Sequence, residues 1–187
     1  MSRSSFLRLR AALRRFRQDE AGVISTEALL IAPLLIWLFL AMFVYWDAFR
    51  AQNTSIKASY AVADMISREN APINNAFITG MHRVFRYMVH TREDTWIRVS
   101  SVQYDEANDR YIVLWSRSTD TTRAPVQTTT TMVAMRDKLP VPSDSDTLLV
   151  VETWQRFTPA FKVGLDRRTF HEVSVVRPRF LSPLPIS

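Results

Sequence analysis

Gly22-Val23-Ile24-Ser25-Thr26-Glu27 stands between an arginine-rich start and a run, Ala28 to Trp46, that carries no charge. The arginines are Arg3, Arg8, Arg10, Arg14, Arg15 and Arg17. A helix needs about 20 apolar residues, at 1.5 Å each, to cross a hydrocarbon core of about 30 Å. Val23 to Trp46, 24 residues, is therefore read as a transmembrane helix. Its flanks agree with that reading: Arg accumulates on the cytoplasmic side of a span, and amphipathic rings such as Tyr45 and Trp46 settle at the far interface. A carboxylate costs about 2.5–3.5 kcal/mol at the centre of a span and less near its edge. Glu27, at the mouth of this one, needs a reason. Pro33 lies inside the run, lacks an N–H, and predicts a kink near Ile31 to Leu34.

A cleaved secretory signal is the rival reading. Its apolar region is typically 7–15 residues and ends in a small-x-small site. The run here is longer, and Ala48-Phe49-Arg50 is a poor substitute for that site, so a retained span is favoured. The N-terminus then stays in the cytoplasm and residues 47–187 lie outside it.

Charge distribution weakens a nucleic-acid reading of the net +6. Residues 1–22 hold six of the 24 basic groups and two of the 18 acidic ones, a net of +4, leaving +2 for the rest. The excess belongs to the leader, where orientation in the membrane explains it. No cysteine occurs, which excludes disulfides and Cys-based metal sites. His82, His90 and His171 are the only histidines, and their spacing suggests no metal or hydrolase site. Asp144-Ser145-Asp146 lacks the later Gly and Glu of a calcium loop and reads as a solvated turn. A phosphate-binding glycine loop and Gly-x-Ser-x-Gly are both missing. Neither catalytic residues, a cofactor nor a metal is expected.

Beyond the span the helical pattern continues. Ala48, Ala51, Ser55, Ala58, Val62 and Met65 form a narrow stripe of mostly small side chains, which lets another element approach closely. Asn70-Ala71-Pro72 ends the helix. Ile73 to His90 reads as a second helix, with Phe77, Met81, Val84, Phe85, Met88 and Val89 on one face. Trp96 to Tyr104 alternates like a half-buried strand, 105–109 is a turn, and Tyr111 to Ser116 is the return strand. A threonine-rich loop, a short helix over Thr129 to Lys138, and strands over Thr147 to Phe157 and Phe170 to Val176 follow. Trp96, Tyr104, Tyr111, Trp115 and Trp154 are assigned to the sheet core. The fold class is α+β: a long N-terminal transmembrane helix, a spine, carrying a small head with an antiparallel sheet of about four strands. The expected divisions are a basic leader (1–22), the span (23–46), its helical continuation (47–69), the head (70–177) and a Pro-rich tail (178–187).

A glycine followed five residues later by glutamate, at the cytoplasmic mouth of a span, is the pattern a prepilin peptidase reads. The string Asp19 to Leu35, DEAGVISTEALLIAPLL, resembles the N-terminus of the TadE-like (TadE/TadG) family of tight-adherence (Flp-type) pilus pseudopilins and assembly proteins. Tyr60 to Glu69 is similar to the helix that follows the span in that family, and Val150 to Pro159 to its C-terminal strand. The resemblance implies cleavage between Gly22 and Val23, which makes Glu27 the fifth residue of the mature chain. It implies that Glu27 pairs with the free amino group of a neighbouring subunit, setting axial register as the ion pair compensates the desolvated charge. The implied setting is a bacterial inner membrane with the head in the periplasm. The implied partners are prepilin peptidase and other pilins or pseudopilins.

In Flp-type prepilins tyrosine often follows the glutamate, whereas Ala28 follows it here. An uncleaved single-span envelope protein that scaffolds the same apparatus stays open as an alternative. In that case Glu27 is an interfacial carboxylate near a helix N-terminus. A membrane-anchored enzyme or sensor domain is a third class, and no residue favours it.

Overall fold

The computed structural model describes Arg14 and residues 21–186, with side chains from Thr26 onward in the first helix. The expected basic leader lies outside the described residues except for Arg14 and the backbone of its last two positions. Helix α1, Ala21–Ser67, is a single run of 47 residues with Pro33 inside it. At 1.5 Å per residue it is about 70 Å long. Its last turn is closed by other groups: Arg179 donates its backbone N–H to the Ser67 carbonyl at 2.8 Å, and the Ser67 hydroxyl donates to the Asp64 carbonyl at 2.8 Å. These partners replace the bonds a terminating helix leaves unmade.

Two environments divide α1. Every side chain from Thr26 to Phe39 is exposed, whereas Ala41, Val44, Ala48, Ser55, Ala58, Val62 and Ile66 form a buried stripe. The expected stripe ends at Met65, which the structure places outward at 44% exposure. Helical phase explains the correction. Ile66 is eighteen residues after Ala48, five full turns at 3.6 residues each, whereas Met65 falls about 100° short.

Helix α2, Asn75–Val89, starts where the Asn74 side chain accepts the Phe77 N–H and ends at His90 in the left-handed region. Strands β1 (Thr95–Asp105), β2 (Arg110–Ser118), β3 (Thr147–Phe157) and β4 (Arg168–Val176) form one sheet in the order β2-β1-β3-β4. All three pairings are antiparallel. Between β2 and β3 lie a short helix α3, Thr129–Met132, and a 3₁₀ segment, Val133–Lys138.

Helices α1 and α2 cover one face of the sheet. Val62, Ala63 and Ile66 meet Ile78, Phe85 and Val89 there, over Ile97, Val99, Leu149 and Val151. The residues between β2 and β3 fold over the other face, where Met132, Met135 and Leu139 pack on Val102, Tyr104, Tyr111, Leu148 and Val150. Strand β1 is thus buried on both faces from Trp96 to Val102 rather than half-buried. Its alternation of polar and apolar residues reflects a second, partly polar core and not solvent. A third cluster joins α1 to the end of the sheet nearest the exposed helix: Ala41, Val44 and Ala48 with Phe157, Val163, Leu165 and Phe170.

The Pro-rich tail is part of this core. Leu184 is 1% exposed, the Trp115 indole N–H donates to its carbonyl at 2.8 Å, and Ile73 pairs with Ile186. Leu184→Ala should therefore destabilise the head by about 2–5 kcal/mol, as other buried Leu→Ala changes do. Urea titration of the full chain in detergent, followed by tryptophan fluorescence, reads this; an unchanged midpoint contradicts a docked tail.

Candidate functional site

The residues singled out by sequence all lie on the first third of α1. Gly22 and Val23 are in its first turn, Glu27 follows one turn later, and Pro33 sits within the continuous helix. No other element of the described chain packs on Thr26 to Phe39. Leu29, Leu30, Leu34, Ile36 and Phe39 are each more than 60% exposed. A helix apolar all round is buried in a large core or in a membrane, and this one is long and apolar enough to cross a bilayer. Contiguous apolar surface on soluble monomers rarely exceeds a few hundred Å².

Glu27 is exposed on this helix and makes no ion pair among the described residues. Whatever compensates its charge in an apolar environment must come from elsewhere. The described residues supply the carboxylate but not its partner. Pro33 removes the N–H that would bond the Leu29 carbonyl, and the helix nonetheless runs on to Ser67. The region can therefore present an apolar surface with one acidic group near its start. The structure brings no nucleophile, base or ligand set to it.

In the head, the one buried charged constellation was not legible from spacing. Arg98 on β1 faces Glu152 on β3 across the sheet. The Arg98 Nε–H donates to Glu152 Oε2 at 2.6 Å, and His171 Nε2, on β4, donates to Oε1 at 3.1 Å. A carboxylate only accepts, so Nε2 must carry the proton. The Arg98 guanidinium also donates to the Pro125 carbonyl and lies over the Trp154 ring at 5.2 Å. Trp154 in turn stacks on His171 at 4.5 Å and on Trp96 at 6.0 Å. His171 is tied in this way to Glu152, near the middle of β3.

Glu152 is 1% exposed and both its oxygens are engaged, so it cannot reach a substrate. Burial pushes its carboxyl up, and the bonds from His171 and Arg98 outweigh that and hold it below the ordinary value of 4.5. The group locks three strands together. A depressed carboxylate stabilises the fold fully above the unfolded value and ceases to do so as pH falls through the lower, folded one.

The other two histidines have structural partners. His82 Nε2 donates to the Thr95 carbonyl at 2.8 Å, tying α2 to β1, and burial lowers its pKa despite that bond. His90 caps α2, its Nδ1 3.2 Å from the Met88 carbonyl. Asp144-Ser145-Asp146 is a turn: Asp144 accepts the Glu106 N–H and Asp146 pairs with Arg177. Among the described residues no three His, Asp or Glu side chains gather to hold a metal. An open groove of about 560 Å³ runs between Arg50 and Thr54 of α1, His90 to Glu93, and Gln155 to Thr158. Gln155 Oε1 is buried beside it without a protein partner among the described residues.

The chain matches no protein-family model, no curated protein and no solved structure.

Arg98→Met leaves Glu152 buried and short of a charged partner, and should cost about 3–5 kcal/mol of stability. Arg98→Met with Glu152→Leu should recover most of the loss. Denaturation midpoints across pH check both: wild type should weaken below about pH 4.5, and the double variant should show less of that decline.

Proposed function

We propose that this chain is a pseudopilin or minor-pilin-like subunit that serves the assembly of a tight-adherence (Flp-type) pilus. It inserts in the bacterial inner membrane with its N-terminus in the cytoplasm and its head in the periplasm, and prepilin peptidase cleaves it between Gly22 and Val23. Its role is structural and not catalytic. The observation that supports this best is the division of α1: an apolar segment with Glu27 near its start, exposed from Thr26 to Phe39, continuous with a helix that forms the core of the head. A carboxylate placed on an otherwise apolar helix is stabilised when a neighbouring subunit supplies a cation, here the amino group of a cleaved Val23. The resemblance of Asp19 to Leu35 to TadE-like N-termini supports the same reading.

Two variants separate processing from assembly. Gly22→Leu should accumulate the uncut chain, seen on immunoblots as a slower band than wild type; equal migration, with neither form cut, contradicts a prepilin. Glu27→Ala should insert and be cleaved normally yet reduce piliation counted by electron microscopy, and normal piliation removes the register role.

A further inference from the structure

We infer that the β3–β4 connection, residues 158–167, is a membrane-docking loop that seats the head on the outer surface of the bilayer; this rests on reading α1 as a membrane span. The loop does not stay with the sheet. Val163 and Leu165, each 6% exposed, pack on Ala41, Val44 and Ala48 of α1. Gly164 adopts φ 93°, in the region that favours glycine, which turns the chain tightly between them beside Tyr45. The loop therefore reaches the level of α1 where full exposure ends, between Phe39 and Ala41.

Length makes that level the bilayer boundary. Irregular backbone exposed to lipid is not tolerated in the hydrocarbon core, where its polar groups go unsatisfied. The outer boundary must then lie at or below Ala41. A core of about 30 Å measured down from there takes up about 20 residues and ends close to Val23. No linker separates span from head, since α1 is unbroken from Ala21 to Ser67. The head cannot ride away from the membrane. Tilt shortens the vertical rise of the helix and brings the loop closer still.

The chemistry of the exposed groups suits a headgroup layer. Phe161 is 45% exposed in the loop, and Lys162, Arg167 and Arg168, near it in sequence, are exposed as well. Among the described residues these three cations carry no ion pair, and Asp166 is the only acid in the loop. Around α1, at the same height, Phe43, Tyr45, Trp46 and Phe49 are each at least 50% exposed. Aromatic rings beside basic side chains are what an interfacial surface presents to lipid. The same register moves Glu27 inward. Measured from Val23, it lies about 6 Å inside the inner boundary, where it gains most from a cationic partner.

The chain has no cysteine, so single cysteines report without background. The test places a nitroxide on Phe161→Cys, Leu35→Cys and Ala107→Cys in the full chain, reconstituted in phosphatidylcholine vesicles with a quarter phosphatidylglycerol. Collision with oxygen and with a water-soluble nickel chelate is read for each. Leu35 marks the span and Ala107 the far turn of the head. The seat predicts several-fold lower nickel collision at 161 than at 107, with oxygen collision between the values at 107 and 35. A label at 161 as open to nickel as that at 107, while 35 is lipid-like, overturns the seat and leaves the span. A label at 35 that behaves like 107 overturns the span and the seat with it.

Discussion

The structure depends on one helix meeting two different surroundings along its length. From Ala41 outward α1 offers a stripe of Ala, Ser and Val to the head, and from Thr26 to Phe39 it offers leucine, isoleucine and phenylalanine to whatever surrounds it. Small residues on the stripe let the sheet come close: Ser59 and Ser174 bond hydroxyl to hydroxyl at 2.9 Å across that contact. Larger side chains there would push the helix off β3 and β4 and open the core that Val62, Ala63 and Ile66 close. The seam carries a cost, since Ser55 Oγ, Thr153 Oγ1 and Gln155 Oε1 are buried without protein partners among the described residues. Apolar packing on either side of it, at Ala41 to Ala48 and at Val62 to Ile66, offsets that cost.

Two further devices hold the head together, one at this helix and one within the sheet. The tail returns to it, with Arg179 paired to Asp64 and bonded to the end of α1 while Leu184 fills the core. On the opposite face the Arg98–Glu152–His171 group spans three strands under a row of stacked rings. A buried ion pair is not in itself a large source of stability, because desolvation consumes much of the Coulomb gain. Its effect is to fix register: a slip of β1 against β3 strands a charge in the core.

The long helix, the hairpin and the last two strands were legible because their periodicities are strong and their breaks are Pro, Asn and Asp. What was not legible depended on contacts distant in sequence. Alternation along Trp96 to Tyr104 signals a strand, but not that residues between β2 and β3 cover its polar side. Arg98, Glu152 and His171 are unremarkable singly, and only the register of β1, β3 and β4 unites them. The stripe was misplaced at Met65 because a spacing of 3 and 4 drifts from 3.6 over five turns. Between the last two strands, nothing local in Thr158 to Arg168 says that Val163 and Leu165 descend to Ala41. Glu27 is the reverse case. Its oddness is visible in sequence alone, and the described residues hold no ion-pair partner for it.

These parts meet through the ends of α1. The head fixes the upper end, the apolar segment descends from it, and Glu27 is left where a charge needs company. Cleavage after Gly22 would create the cation that answers it. Intact-mass and N-terminal peptide analysis of the protein purified from its host's membranes tests this directly. A mature chain starting at Val23 is the predicted result. A chain starting at Met1 or Ser2 contradicts it, and makes the protein an uncleaved anchor in which Glu27 has no such partner.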